Sequence, residues 1–166
     1  MTQDRVPARA RIAIFLAWAC VVGAVASRHE PWRDEVHRYS VATSTASLGE
    51  LFGALRNDGH PALWYLLLRG AHAVVPVPAV LPAVSLLIAA ASVLLFVSRA
   101  PFGPVLIFLF PFSVLPLYEY SVMAGNYGVS LLLCFAFAAL YRARTRLLLA
   151  LCLVLLSNTN AHAAFL

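Results

Sequence analysis

The stretch LPAVSLLIAAASVLLFV at residues 81–97 decides the fold class, because it carries no charge and is closed only by Ser98 and Arg99. A transmembrane α-helix needs about 20 mainly apolar residues to cross about 30 Å of hydrocarbon. In lipid, backbone amides and carbonyls must be satisfied within the segment, and a helix achieves this. A transmembrane barrel would need alternating apolar and polar residues, whereas this run is continuous. The stretch therefore predicts a membrane-spanning helix.

The composition extends this prediction to the whole chain. Of its 166 residues, 62% are hydrophobic and 11% are charged, whereas soluble domains are about half apolar and a quarter charged. Because the sequence ends within an apolar run, we expect the N-terminal part of a longer protein. The expected fold class is all-α: a polytopic transmembrane helix bundle forming one membrane domain over residues 1–166. Further apolar runs lie at residues 12–27, 105–117, 129–141 and 147–156.

The charge balance is basic, at +5, and every basic residue is an arginine. In a soluble protein this balance would suggest nucleic acid, but in a membrane chain arginines gather on the cytoplasmic side. We therefore expect membrane lipids and no nucleic acid as partners. Arg5, Arg9 and Arg11 precede the first apolar run and place the N-terminus in the cytoplasm. That run is either an uncleaved first helix, which we favour, or a signal peptide.

A polar window at residues 28–60 interrupts the apolar runs and holds five of the seven acidic side chains. A carboxylate inside hydrocarbon costs about 2.5–3.5 kcal/mol on insertion scales, so these acids belong at the membrane surface or in a water-filled cavity. We expect an outer loop that carries short surface helices between the first two hydrophobic segments. Ser47 with Glu50 three residues later is a helix-start pattern, which predicts a short helix through Leu55 along the membrane.

The topology depends on residues 61–75, an apolar run interrupted by Arg69 and His72. If this run crosses the membrane, the arginines at 142–146 fall outside, against the positive-inside tendency. If it enters only partway, or lies at the outer interface, those arginines and Arg99 fall inside. The polar groups then gather outside. We favour the second arrangement, with a multi-pass protein in the inner or plasma membrane and the active-site loop outside.

The adjacent carboxylates of Asp34 and Glu35 are the first candidates for catalysis. A carboxylate in a partly desolvated site can abstract a proton from an acceptor hydroxyl. The pair is also a candidate site for a divalent cation, Mg²⁺ or Mn²⁺, which binds oxygen ligands. The alternative is a solvated loop with ordinary charges, paired with Arg33 or Arg38.

His60 and the aromatic pair that follows it are the next candidates. His60 either donates to a phosphate or binds metal, or it belongs to a simple turn with Asp58 before a helix that Pro61 opens. Trp64 and Tyr65 either flank a polyprenyl chain or belong to the aromatic belt at the membrane interface.

A further group of polar residues follows the apolar run at residues 105–117. Glu119, Met123 and the pair Asn126-Tyr127 have helical spacing and would share one face. The polar residues after the last apolar run form either a polar helix end or another wall of the same cavity. The whole group lines a sugar or phosphate pocket, or it forms a structural polar seam between helices. Its candidate binding residues are Glu119, Tyr120, Asn126, Tyr127, Asn158, Asn160 and His162.

The order of these motifs resembles the N-terminal part of the GT-C type integral-membrane glycosyltransferases. That family includes protein O-mannosyltransferases, aminoarabinose transferases of lipid A and many bacterial relatives. The resemblance lies in Asp34-Glu35 after the first helix, HPALWYLLLR at residues 60–69 and YSVMAGNY at residues 120–127. It covers nearly the whole chain.

The resemblance implies transfer of a sugar from a polyprenyl-phosphate donor to a hydroxyl of an acceptor glycan, lipid or protein. Asp34 is the implied base or acceptor-orienting group, and Glu35 is its neighbour. Relatives often carry Pro-Pro after the histidine, where Pro61-Ala62 stands here, and they commonly carry an arginine at the position of Gly125. An arginine there would bind the donor phosphate bidentately.

Gly125 therefore leaves the donor phosphate without its usual partner. We expect Arg38, Arg56 or Arg69 to take that role in this chain.

Two other functions compete with the enzyme. A transporter or flippase fragment would use the carboxylates along a polar substrate path, and an inactive, truncated membrane scaffold would use none of them. Transport favours carboxylates in the middle of the membrane. Here they lie at its predicted boundary, which favours the enzyme.

Overall fold

The computed structural model describes residues 6–56, 58, 60–143 and 145–160, and within these ranges the fold is helical with no strand. The predicted all-α class is therefore confirmed for the described part of the chain. A π-helical turn at Leu115–Glu119 lies between the sixth and seventh α-helices. The helices are α1 (Ala8–Ala26), α2 (Arg33–Ser44), α3 (Leu48–Leu55), α4 (Leu63–Val74), α5 (Val80–Arg99), α6 (Pro104–Phe112), α7 (Asn126–Ala143) and α8 (Arg146–Ser157).

Two of the described helices, α1 and α5, are long and apolar enough to cross a membrane. The apolar part of α7 and the whole of α8 are shorter. The 12 residues of α4 extend about 18 Å at 1.5 Å per residue, which is less than the hydrocarbon thickness of about 30 Å. By length and composition, then, two helices meet the requirement for a span.

The polar window contains two helices, α2 and α3. The hydroxyl of Ser47 accepts the backbone N–H of Glu50 at 3.1 Å, and the Glu50 carboxylate accepts the backbone N–H of Ala46 at 2.7 Å. These bonds satisfy donors that the first turn of a helix leaves free. The short helix predicted to follow Ser47 is thus confirmed as α3.

No helix continues from Glu119 to Asn126, because the π-helical turn ends at Glu119 and α7 begins only at Asn126. The expectation that these residues share one helical face is therefore wrong. Pro111 and Pro116 remove backbone donors and disturb the helix before the break. The reversal that follows is tight, because a Cβ at Gly128 would lie 2.6 Å from the Tyr120 carbonyl oxygen. Only glycine allows α7 to start this close to the preceding backbone.

Two hydrophobic clusters hold the helices together. The first joins α1, α5 and α6 around Trp18, Val93 and Ile107. The second joins the helices of the polar window to α4 and to the first turns of α5 and α7, around Leu51 and Leu68. The helices of the polar window therefore pack against the bundle and do not form a protruding loop.

The bundle has a basic end. Arg11 in the first turn of α1 donates to the carbonyls of Val6 and Val97, so α1 begins beside the end of α5. Phe96, also near the end of α5, packs on Phe135 of α7 with ring centroids 5.2 Å apart. Among the described residues, this end therefore carries the arginines at the start of α1, at the end of α5 and at the start of α8: Arg9, Arg11, Arg99 and Arg146. Arg144, part of the expected cytoplasmic cluster, lies outside the described residues.

The opposite, polar end gathers the acids and amides. Leu63 at the start of α4 donates its N–H to the Asn158 carbonyl at 3.3 Å, and Arg69 in the same helix donates to the Thr45 carbonyl at 2.8 Å. Tyr39 of α2 is hydrogen-bonded to His72 at 2.7 Å. Both halves of α4 thus contact elements of the polar end.

Candidate functional site

Glu35 lies at the centre of the polar end and is only 2% exposed. Its Oε2 accepts the Trp32 N–H at 2.7 Å and lies 2.9 Å from His29 Nε2, and its Oε1 accepts the Ala124 N–H at 2.6 Å. A buried carboxylate is tolerated only when it is paired and hydrogen-bonded. Glu35 therefore fastens the start of α2 to the segment between the π-turn and α7.

His29 extends this network towards α1 and leads to a cavity. Its Nδ1 lies 3.2 Å from the Tyr118 hydroxyl, and the two rings meet edge to face. A cavity of about 450 Å³ opens beside them at the end of α1. The Trp32 side chain on its wall is 56% exposed, which offers a flat apolar surface next to polar groups. The polar and aromatic residues that line the cavity are Arg28, His29, Glu30, Trp32 and Tyr118.

Asp34 faces away from Glu35 and towards open space. It is exposed and makes no hydrogen bond or ion pair with any described residue. His37 and Arg38 follow three and four residues later in α2, and residues at these spacings share a helical face. Consecutive helical positions point in different directions, which is why the two adjacent acids have different environments.

Arg38 brings a cation beside Gly125. A Cβ on Gly125 would lie 3.2 Å from Arg38 Nη1. Arg38 is half-buried and makes no hydrogen bond or ion pair within the described ranges. Its guanidinium donors are thus available to an anion beside the backbone of Gly125.

Asp58 is the centre of a second polar cluster, which α2 joins through His37. The Tyr65 hydroxyl donates to Asp58 Oδ2, while His37 Nε2 lies 3.4 Å from Oδ1 and His60 Nδ1 lies 3.6 Å from Oδ2. Burial, and then the hydrogen bond to Asp58, raise the pKa of Tyr65. Tyr65 therefore remains a hydroxyl donor at physiological pH.

The structure does not bring Asp34 and Glu35 together as a metal site. Both oxygens of Glu35 are engaged by protein donors, and Asp34 points elsewhere. Among the described residues, no three or more His, Cys, Asp and Glu side chains are arranged to hold a metal ion. The residues present do not fit the divalent cation that the sequence suggested at this pair.

The other two candidate arginines differ from Arg38. Arg69 donates to the carbonyls of Ala42 and Thr45 at 3.2 and 2.8 Å. Its guanidinium therefore binds the carbonyl groups at the C-terminal end of α2. Arg56 is exposed at the end of α3 and lies in neither polar cluster. Arg38 is therefore the one of the three that the fold brings beside Gly125.

Trp64 and Tyr65 are core residues of the second hydrophobic cluster, at 1% and 0% exposed. Their rings pack among α2, α3 and α4 and present no surface to a lipid chain. Tyr65 nevertheless reaches Asp58 with its hydroxyl. Of the pair, only Tyr65 belongs to a polar cluster.

The later polar residues separate into exposed and buried sets. Glu119 and Tyr127 are exposed, and Tyr127 packs against Tyr120 with centroids 6.0 Å apart. The buried Asn126 donates to the Thr159 carbonyl at 2.6 Å, and Asn160 donates to the Ser130 hydroxyl at 2.6 Å. This buried set links the start of α7 to the end of α8, as a structural seam would. His162 lies outside the described residues.

Three residues of the polar end were not among the sequence candidates. His29, His37 and Tyr118 enter the two polar clusters only through the fold. The spacing of His37 from Asp34 would have signalled a shared face if residues 33–44 had been predicted as a helix. No comparable signal links His29 to Tyr118.

Comparison of the chain with protein-family models, with curated protein sequences and with solved structures gave no match. A function is therefore inferred from the sequence motifs and from the geometry of the polar end.

Proposed function

We propose that the chain is the membrane-embedded N-terminal part of a glycosyltransferase of the GT-C type. It would transfer a sugar from a polyprenyl-phosphate donor to an acceptor hydroxyl. The observation that carries this proposal is the open face of α2. There the unpaired carboxylate of Asp34 lies one helical turn from Arg38, whose guanidinium adjoins Gly125.

The apolar surface supports a polytopic membrane protein. Large side chains are exposed on helices beyond the two candidate spans, including Val105 of α6 at 67% and Leu147 of α8 at 83%. Soluble monomers rarely expose contiguous apolar patches of more than a few hundred square ångströms. We infer that α1, α5, α6 and α8, which expose such side chains, contact lipid. By the positive-inside rule, the basic end faces the cytoplasm and the polar end faces outward.

In the proposed reaction, Asp34 takes the proton of the acceptor hydroxyl. The acceptor oxygen forms a bond to the anomeric carbon of the sugar while the bond between that carbon and the phosphate oxygen breaks. The electron pair leaves with the polyprenyl phosphate. The Arg38 guanidinium would balance the charge that develops there, since its planar donors match phosphate oxygens.

Glu35 has a positioning role in this proposal. Its bonds to Trp32 and Ala124 fix the start of α2 against the segment that contains Gly125. Asp34 and Arg38 are thereby held on one rigid element, as catalytic geometry requires. The Glu35 carboxylate itself is fully engaged, so it has no free oxygen for substrate.

The test is transfer from a radiolabelled polyprenyl-phosphate sugar by the full-length protein. Asp34→Asn is nearly isosteric and exposed, so it should leave the fold unchanged. Turnover should fall at least about 100-fold, the lower range for loss of a general base. Glu50→Gln is the matched control, because this acid of the same window only accepts the Ala46 N–H, which glutamine can also do. Unimpaired transfer by Asp34→Asn would remove Asp34 from the mechanism.

A further inference from the structure

A second cavity, of about 590 Å³, lies at the basic end of the bundle between α5 and α7. Its volume is within the range of about 300–1,000 Å³ that ligand pockets occupy. Among the described residues, aromatic rings and small alanines form its walls, and one charged side chain borders them. The residues that matter are Phe96, Phe102, Phe135, Ala138, Ala139 and Arg99.

The aromatic wall is preformed. The ring of Phe96 lies 5.2 Å from that of Phe135 and 6.0 Å from that of Phe102, measured between centroids. Phe96 is 4% exposed and belongs to the first hydrophobic cluster. Ala138 and Ala139, one helical turn after Phe135 in α7, leave room because their side chains are single methyl groups. The space is therefore apolar, and an apolar chain can fill it.

Arg99 is the last residue of α5 and borders this apolar space. It is exposed and makes no hydrogen bond or ion pair with the described residues. A guanidinium is weakly hydrated and presents donors that match a phosphate in two bonds. Such a group beside an apolar cavity complements a ligand with an anionic head and a hydrocarbon tail.

We propose that this cavity binds an anionic phospholipid, with an acyl chain against the phenylalanines and the phosphate at Arg99. Its location agrees with this ligand, because basic pockets between transmembrane helices on the cytoplasmic side bind anionic head groups. The neighbouring arginines of α1 increase the positive charge of the same end. This inference rests on the membrane placement in the proposed function, and it is independent of the transfer chemistry.

The two parts of the ligand make separable demands. Inorganic phosphate can use only Arg99. A zwitterionic lipid fills the cavity, but its own ammonium offsets the charge of its phosphate, whereas an anionic lipid of the same chains uses the cavity and presents its full charge to Arg99. The protein in neutral detergent is therefore titrated with phosphatidylglycerol, with phosphatidylcholine of identical chains and with inorganic phosphate. Native mass spectrometry counts the bound lipids, and thermal unfolding reports stabilisation.

Phosphatidylglycerol should bind about tenfold more tightly than phosphatidylcholine, because no choline cation competes with Arg99 for its phosphate. Arg99→Gln should remove this preference, mainly by weakening phosphatidylglycerol. Ala139→Phe should weaken both lipids by filling the cavity. Arg33→Gln, which removes an exposed arginine at the polar end, is the matched control and should change neither.

Because Ala139→Phe can disturb helix packing, Arg99→Glu provides a second, exposed change that should weaken the anionic lipid much more than the zwitterionic one. Equal binding of the two lipids, a preference that survives Arg99→Gln, or equal protection by inorganic phosphate would each overturn the proposal. No sugar donor is present in these titrations. Failure here therefore leaves the transfer assay unaffected, and failure of transfer leaves this result unaffected.

Discussion

At the scale of single residues, both oxygens of the Glu35 carboxylate are taken up by buried donors. Glu35→Ala should leave the Trp32 and Ala124 N–H groups and His29 without their partner. Breaking a buried pair in this way typically costs about 3–5 kcal/mol. We expect a loss of this order in the free energy of unfolding, measured by denaturant titration in detergent micelles.

The neighbouring acid supplies the control for this measurement. Asp34→Ala removes an exposed, unpaired carboxylate from the same helical turn and should change stability by less than about 0.5 kcal/mol. Equal effects of the two variants would mean that the Glu35 bonds contribute little to the fold.

The proposed phosphate-binding cation can be moved from position 38 to position 125 by mutation, because the two residues are neighbours. Arg38→Gln should weaken binding of the polyprenyl-phosphate donor by about tenfold. Gly125→Arg in the native chain should not increase donor affinity. The Cβ of the new arginine would lie 3.2 Å from Arg38 Nη1, so the two guanidinium groups would compete for the same space. The double variant should recover donor binding, since one guanidinium then occupies the site alone.

Donor affinity is measured by equilibrium binding with each variant, and Arg56→Gln is the control at an exposed arginine outside both polar clusters. If Gly125→Arg alone strengthens donor binding, then Arg38 does not hold the proposed donor phosphate.

The identity of these candidate residues could be predicted from the sequence, but their burial and their contacts could not. The sequence singled out Asp34 and Glu35 because acids are rare in an apolar chain. It did not indicate that one is buried and the other exposed, because that division follows from α2. The mainly polar sequence of α2 has no apolar stripe to reveal a helix. The pairing of Glu35 with Ala124 is a contact across 89 positions, for which local patterns carry no signal.

At the scale of the elements, the reversal before α7 depends on one glycine. Gly128→Ala would place a methyl group 2.6 Å from the Tyr120 carbonyl oxygen. The backbone of the reversal must then move, and the Ala124 N–H moves with it away from Glu35. We expect lower thermal stability and lower transfer activity than in the native protein.

Gly70→Ala is the matched control for this element. A Cβ at Gly70 meets nothing within 4 Å in the interior of α4, and alanine favours a helix over glycine by about 0.5–1 kcal/mol. Gly70→Ala should therefore be neutral or stabilising. A Gly128→Ala variant that is equally stable would show that the reversal tolerates a Cβ.

The sequence predicted the elements better than their connections. The cap at Ser47 and the apolar runs are local features, and α1, α3, α5, α7 and α8 follow them closely. Pro111 and Pro116 indicated a bend, but the position at which α7 begins depends on the contact between Gly128 and the Tyr120 carbonyl. That contact exists only after the chain has reversed. Residues 119–127 were therefore assigned one continuous helical face that the fold does not have.

At the scale of the whole molecule, the separation of basic and polar ends predicts which positions face each side of the membrane. Single cysteines are introduced at Arg33, Glu119 and Arg146 after the native cysteines have been replaced. The first two should react with an impermeant thiol reagent added outside intact cells, whereas the cysteine at position 146 should react only after permeabilisation. These results follow from the positive-inside rule applied to the two ends.

An internal control is available at each end. A cysteine at Ser98, beside the exposed end of α5, should behave like the one at position 146, and a cysteine at Asp34 should behave like the one at position 33. Labelling of the Arg33 and Glu119 positions from opposite sides would contradict a polar end that lies on one side of the membrane.

The hydrogen bond between Glu35 and Ala124 also sets the order in which the protein can mature on the ribosome. The amide that completes the shell of Glu35 is made 89 residues after the acid. At about 5–20 residues per second this delay is roughly 4–18 s. During that interval the nascent α2 lacks its attachment to the segment before α7, whereas α1 is complete before the interval begins and α5 is completed within it. The shell of Glu35 at the polar end therefore closes only after both candidate spans have been made.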